Sequence, residues 1–158
     1  MASGFEVRKA TLEDIEAVSV ITSEAFVKYA NMIGMPTTAA LTETYEDIKK
    51  DIEENIVLVA FVDDNPVGSV RVKVDMENKS AYLYRFGVRL TVQNHGIGKS
   101  LMNLVDIKMK ELGIKTISLH TGSKVSSLVR FYYGRGFYID SVTKEKGYPR
   151  ALLIKEYE

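Results

Sequence analysis

The chain has 158 residues, enough to bury one full core, and its 46% hydrophobic and 27% charged content excludes a disordered protein. Lys+Arg and Asp+Glu number 21 each, so the formal charge is zero and nothing electrostatic favours nucleic acid or an anionic membrane as partner. The lack of cysteine excludes disulfides, thiolate metal sites and a thiol nucleophile, and two histidines, His95 and His120, are too few for a His-rich metal centre.

Residues 5–10 alternate and predict a first strand. Thr11-Leu12-Glu13-Asp14 has the form of a capping box, so a helix is expected from about Leu12. Ile15, Val18, Thr22, Ala25, Phe26 and Tyr29 then share one helical face. Gly34 and Pro36 break this helix within residues 31–41. Thr44-Tyr45-Glu46-Asp47 repeats the capping pattern and opens a second helix with Ile48 and Ile52 inward. Its acidic residues, among them Glu43 and Asp51, read as a solvated face diluted by Lys49 and Lys50, or else as a surface for a polyamine.

Three strands follow. Residues 56–62 are an apolar run, and Asp63-Asp64-Asn65-Pro66 turns the chain. Residues 67–74 alternate, with Val70, Val72 and Val74 on one face and Arg71 and Lys73 on the other. Residues 81–88 are the fourth strand. A helix over 97–112 turns Leu101, Leu104, Val105, Met109 and Leu112 inward and stops at Gly113. Residues 114–121 form a fifth strand, and the strand–helix–strand order predicts a parallel crossover. A short helix over 126–133, which Ser126 and Ser127 are expected to cap, ends at Gly136. Strands at 137–142 and 151–157 complete a mixed α/β (α+β) order in one domain spanning 1–158. The start of the chain carries no charged-then-apolar leader and no long apolar run appears, so a cytoplasmic protein without membrane contact is expected.

Residues 86–101 carry the clearest chemistry. An apolar strand enters a loop with two glycines, and the loop enters an amphipathic helix. The first turn of a helix has N–H groups without helical partners and the positive end of the helix dipole, so it receives phosphate or diphosphate. Gly98-Lys99-Ser100 looks like the end of a phosphate-binding P-loop, which would imply a nucleotide enzyme, but that motif requires glycine where Gln93 stands.

The other reading of the loop is Gln/Arg-x-x-Gly-x-Gly/Ala, met by Gln93-Asn94-His95-Gly96-Ile97-Gly98. This resembles the acetyl-CoA loop of the GNAT superfamily of N-acetyltransferases. Phe86-x-Val88 precedes the loop at the family's spacing, and Leu119-x-Thr121 and Phe131-Tyr132-x-x-x-Gly136-Phe137 follow it. The resemblance runs from Phe5 to Tyr157. The chain departs from it with Gln93 in place of the commoner Arg, Leu90 where proline is usual, and Val125 where many members carry Asn.

The resemblance implies a mostly antiparallel sheet of about seven strands, flanked by helices, with one parallel pair splayed around the pantetheine arm. It implies acetyl-CoA as co-substrate, no metal, and direct transfer of acetyl to a primary amine of a small molecule or peptide. The amides of Asn94, His95, Gly96, Ile97, Gly98 and Lys99 would cradle the diphosphate, helped by the Lys99 ammonium and the Ser100 hydroxyl, with Gln93 ordering the loop. Main-chain N–H groups near Phe86, Gly87 and Val88 would meet the charge developing on the thioester oxygen. Tyr132 corresponds to the family tyrosine that faces the sulfur, and it either protonates the departing thiolate or packs. His120, near the end of the fifth strand, is a candidate base, or otherwise an ordinary strand histidine. Acceptor choice is expected to reside in residues 29–41 and 143–150. A homodimer is left open, and a non-catalytic acyl-CoA sensor on the same fold is the alternative function.

Overall fold

The computed structural model of the protein describes residues 4–89 and 96–158. Strand β1 (Glu6–Lys9) leads to a 3-10 turn at Leu12–Asp14 and then to helix α1 (Ile15–Ile33). The Thr11 N–H donates to Asp14 Oδ2 at 2.7 Å, as the box requires. That carboxylate also takes the Arg8 guanidinium at 2.8 Å, so the tight first turn is tied to β1 and the α-helix starts three residues later than the pattern suggests. Gly34 ends α1 in the left-handed region, with φ 71°. A 3-10 turn at Ala39–Leu41 precedes α2 (Tyr45–Glu54), where Thr44 and Asp47 exchange both capping hydrogen bonds.

Strands β2 (Ile56–Val62), β3 (Asn65–Asp75) and β4 (Ser80–Val88) form an antiparallel meander. The β2–β3 hairpin is tighter than the four-residue turn the sequence suggests. Asp63 and Asp64, at φ 49° and 66°, make a two-residue turn, and Pro66 already pairs with Phe61. After α3 (Ile97–Glu111) come β5 (Thr116–Gly122), α4 (Ser126–Gly134), β6 (Tyr138–Thr143) and β7 (Arg150–Glu156). The sheet of seven strands has the order β1-β2-β3-β4-β5-β7-β6, and β4–β5 is its parallel pair.

Helices cover both faces, and so the core is divided. Leu58, Val70, Val72, Leu83 and Leu119 pack against Leu101, Val105 and Met109 of α3. Val57, Val59 and Phe61 pack against Val18 and Ile21 of α1 and Ile48 and Ile52 of α2. Burying both faces changes the fate of Arg71. Alternation puts it opposite the valines, but α1 and α2 lie over it and it is fully buried. Glu43, Asp51 and Thr22 receive its guanidinium, at distances from 2.6 to 3.1 Å. Two carboxylates of the acidic stretch therefore neutralise a core cation instead of facing solvent.

Two irregularities shape the middle of the sheet. Between Ser69 and Arg71 of β3 the register slips, so Arg85 and Phe86 of β4 together oppose Val70, with Arg85 at φ 51°. The bulge resets the alternation. Tyr84 points to α2, where Asn55 donates to its hydroxyl, while Phe86 and Val88 join the core under α3. The second irregularity is the parallel pair itself. Its register runs only over Ser80–Thr116, Ala81–Ile117 and Tyr82–Ser118, after which β4 and β5 separate.

Candidate active site

A cavity of about 930 Å³ runs through the gap between the separated strands and reaches both faces of the sheet. On the α3 side it is bounded by the N-terminus of α3, by Phe86 and Val88 of β4, and by Phe131 and Tyr132 of α4. On the other side it is bounded by α1, by the segment containing Thr37 and Thr42, and by Tyr148 and Arg150. Residues from both connections expected to set acceptor choice thus line one space.

At the N-terminus of α3, Gly96 is the cap, at φ 76° and ψ 9°. The first helical bond is donated by Ser100 N–H to the Gly96 carbonyl at 3.0 Å, so the amides of Ile97, Gly98 and Lys99 have no helical partner. Apart from its chain neighbours, no atom of a described residue stands within 4 Å of where a Cβ on Gly96 would be, which leaves room beside these amides. Gly98 is needed for another reason: its Cβ would be 2.9 Å from Phe86 Cζ. A helix start whose first amides lack helical partners, with room at its cap among the described residues and a lysine in its first turn, fits a diphosphate. Gln93, Asn94 and His95 lie outside the described residues.

Gly87 owes its identity to packing. A Cβ there would be 2.5 Å from the Ala25 Cβ of α1, so the helix rests directly on the strand beside the bulge. The bulge disrupts the β3–β4 ladder, which resumes at Ser69–Gly87 and Gly68–Val88 and extends to the Arg89 N–H, a donor to the Val67 carbonyl at 2.7 Å.

Tyr132 is buried, yet it lines the cavity. Its ring is held edge-on against Phe86, Phe131 and Phe137, with centroids 6.2, 5.5 and 5.8 Å away. Its hydroxyl makes no hydrogen bond to a described residue, and burial holds its pKa above the usual phenol value. Phe86 and Phe131 stack at 5.5 Å, tying β4 to α4 across the gap. Helix α4 is capped at Val125 without a side-chain bond, and so the two serines do not cap it; Ser127 instead lines the cavity.

His120 lies on the opposite side of the gap. Its Nδ1 is 2.7 Å from the Tyr82 hydroxyl, and it too borders the cavity. Partial burial of the ring and the nearby Arg150 charge push its pKa below the ordinary histidine value. Tyr132 and His120 therefore approach the same cavity from different faces of the sheet.

Sequence reasoning placed Tyr29 at the start of the acceptor segment but gave it no partner. Its hydroxyl accepts the Gly122 N–H at 2.8 Å and meets the Tyr148 hydroxyl at 3.3 Å, which joins α1 to the end of β5 and to the β6–β7 connection. Its place on the inward face of the first helix was legible, but a partner 119 residues away was not.

The solved structure of PaiA N-acetyltransferase from Thermoplasma acidophilum, in complex with coenzyme A, is similar with a TM-score of 0.84 at 22% identity; the match covers 99% of this chain and 100% of that one. A probable acetyltransferase from Staphylococcus epidermidis is similar at TM-score 0.80 and 16% identity, over 98% of this chain and 99% of that chain. The ribosomal-protein-S18-alanine N-acetyltransferase from Escherichia coli gives 0.77 and 13%, over 96% and 93%. At these identities the likeness is one of fold. None of the curated protein sequences matches the chain. The sequence profile of the acetyltransferase (GNAT) family matches residues 25–137, and the chain belongs to that family.

Proposed function

We propose that this acetyl-CoA-dependent N-acetyltransferase passes the acetyl group directly to a primary amine, with Tyr132 serving the leaving sulfur and His120 the incoming nitrogen. When bound, acetyl-CoA supplies the carbonyl carbon that the amine attacks and the thiolate that leaves. The amides of Ile97, Gly98 and Lys99, with the Lys99 ammonium and the Ser100 hydroxyl, hold the diphosphate at the start of α3. The main chain at Phe86, Gly87 and Val88 faces the carbonyl oxygen, where negative charge develops. The Tyr132 hydroxyl, kept protonated by burial, donates to the departing sulfur. His120, kept neutral near pH 7, accepts a proton from the ammonium and passes it to solvent. One N–C bond forms and the C–S bond breaks; the ammonium nitrogen loses two protons in all, one released to solvent through His120 and a second, lost as the amide forms, that replaces the proton Tyr132 gives to sulfur.

The observation that carries this reading is the cavity through the split in the sheet, with the helix start on one side and Tyr132 on its wall. We place the reaction in the cytoplasm and the acceptor among small molecules or peptides. The test is a thermal shift with CoA, acetyl-CoA and Mg–ATP, followed by mass spectrometry of an amine panel. Stabilisation by CoA and acetyl-CoA alone, with a 42 Da gain on an amine, supports the reading; stabilisation without any acetylated product supports the sensor.

A further inference from the structure

The cavity wall is one-sided in charge. Lys28, Arg85, Lys99, Lys146 and Arg150 border it, and no Asp or Glu does so among the described residues. These cations divide between two ends. Lys99 belongs to the start of α3. Lys146 and Arg150 belong to the β6–β7 connection and its strand, on the face covered by α1. There Tyr148 meets Tyr29, and a Cβ built on Gly147 would stand 3.4 Å from the terminal carbon of Met35.

Two carboxylates of the neighbouring α2 side are already committed. Glu43 is shared by Arg71 and Arg85, and Asp51 is held by Arg71. Those two acids and two arginines cancel. Neither Lys146 nor Arg150 forms an ion pair among the described residues. Their charge is felt inside the site, since Arg150 and Lys146 both help to lower the pKa of His120. Glu145 is the acid that opposes them there, and it is exposed and does not border the cavity. On a cavity wall, cations without an ion-pair partner, as Lys146 and Arg150 are among the described residues, attract a complementary anion and repel a polycation.

We infer that the acceptor is an amine that also bears a carboxylate, an amino-acid-type substrate, and that Arg150 with Lys146 receives that carboxylate. The inference rests on the acetyl-transfer reading of the same cavity and specifies its acceptor. A guanidinium fork can take a carboxylate in two parallel hydrogen bonds, which fixes the substrate's direction. The amine then points into the split, towards Tyr132 and the bulge of β4. Phe26, Met32 and Met35 offer the rest of the molecule an apolar wall. The same charges assist the chemistry, because neighbouring cations lower the pKa of an ammonium and raise its reactive neutral fraction.

The experiment compares L-phenylalanine, L-phenylalaninamide, phenethylamine and spermidine as acceptors for the full-length protein with acetyl-CoA. Wild type is expected to favour phenylalanine over phenethylamine and spermidine by at least about tenfold in kcat/KM. Arg150→Gln with Lys146→Gln should reduce the phenylalanine-to-phenethylamine ratio by about tenfold or more, mainly through KM, and Arg150→Lys should restore part of it. Thermal melts accompany the kinetics, and the ratio is read only on variants that melt close to wild type, so a loss of folding is seen separately. Preference for spermidine or phenethylamine in wild type, or a ratio that the double variant does not move, overturns the inference while leaving acetyl transfer intact. A chain that binds CoA and acetylates none of the four overturns the transferase reading and this inference with it.

Discussion

Both terminal nitrogens of Arg71 reach the carboxylate of Glu43, at 2.6 and 2.9 Å, from a fully buried position in the middle of β3. Glu43 directly follows Thr42, which lines the cavity, and also takes the Arg85 Nε at 3.2 Å. One carboxylate thus fastens the wall of the acceptor space to two neighbouring strands. Removing one member of a buried pair strands the other. Glu43→Gln and Arg71→Met are each expected to cost about 2–4 kcal/mol, read from the urea midpoint at constant m-value. Losses below about 1 kcal/mol would show that the cluster adds little.

Tyr132→Phe removes a hydroxyl that has no hydrogen bond among the described residues, so the unfolding midpoint should hardly move. Turnover should fall by about 10²-fold, with the KM for acetyl-CoA almost unchanged. Steady-state kinetics at saturating acceptor checks both values. An effect confined to KM would give Tyr132 a binding role.

Gly96 and Gly98 should fail in different ways. Gly96→Glu places a charged side chain in the open space beside the unpaired amides, at a φ of 76° that suits glycine. Its CoA affinity should drop by more than about tenfold with modest loss of stability. Gly98→Val drives a side chain into Phe86 and should lower the melting temperature first. Calorimetric titration with CoA, paired with thermal melts, separates the two. Near-normal affinity in Gly96→Glu would remove the diphosphate from this helix start.

His120 gives a pH dependence with a defined sign. Its pKa in the folded chain lies below the unfolded value of about 6.5, because of partial burial and the Arg150 charge. Protonation is harder in the folded state. Stability linked to this group is therefore complete above about pH 6.5 and lost as pH falls through the folded-state value. As a proton acceptor it would produce an acid limb in kcat/KM below about pH 6.5. His120→Asn should abolish that limb; a limb that persists belongs to another group.

Local chemistry made much of the architecture readable. The Thr44 box, the glycine stops and the valines of β3 act through neighbours a few residues away, and each element stands within a few residues of its predicted place. The order of β5, α3 and the final strands was enough for a mixed sheet with one parallel step. Features made by distant segments were not readable. Arg71 looked like a surface residue because a period of two tells one face from the other but does not say that both are covered. The bulge at Arg85 left no turn signal, since the sequence there is an uninterrupted strand pattern. Gly87 was named for its main-chain N–H, and the contact that requires glycine there, a methyl of α1, comes from a distant segment. In the cavity, Tyr132 was visible at family spacing and His120 by its place near the end of the fifth strand, whereas the cationic lining became apparent only once the β6–β7 connection was seen folded over the end of α1.

The seat of Ala25 on Gly87 leaves no slack for even one additional carbon. Helix α1 is consequently locked in register at that point, and the strand segment bearing the bulge cannot shift without carrying the helix along. Beyond Tyr29 the same helix is free of that lock and contributes Met32 to the acceptor space. Evolution can therefore recut the acceptor end of this scaffold while the neighbourhood of the reacting carbonyl keeps its shape.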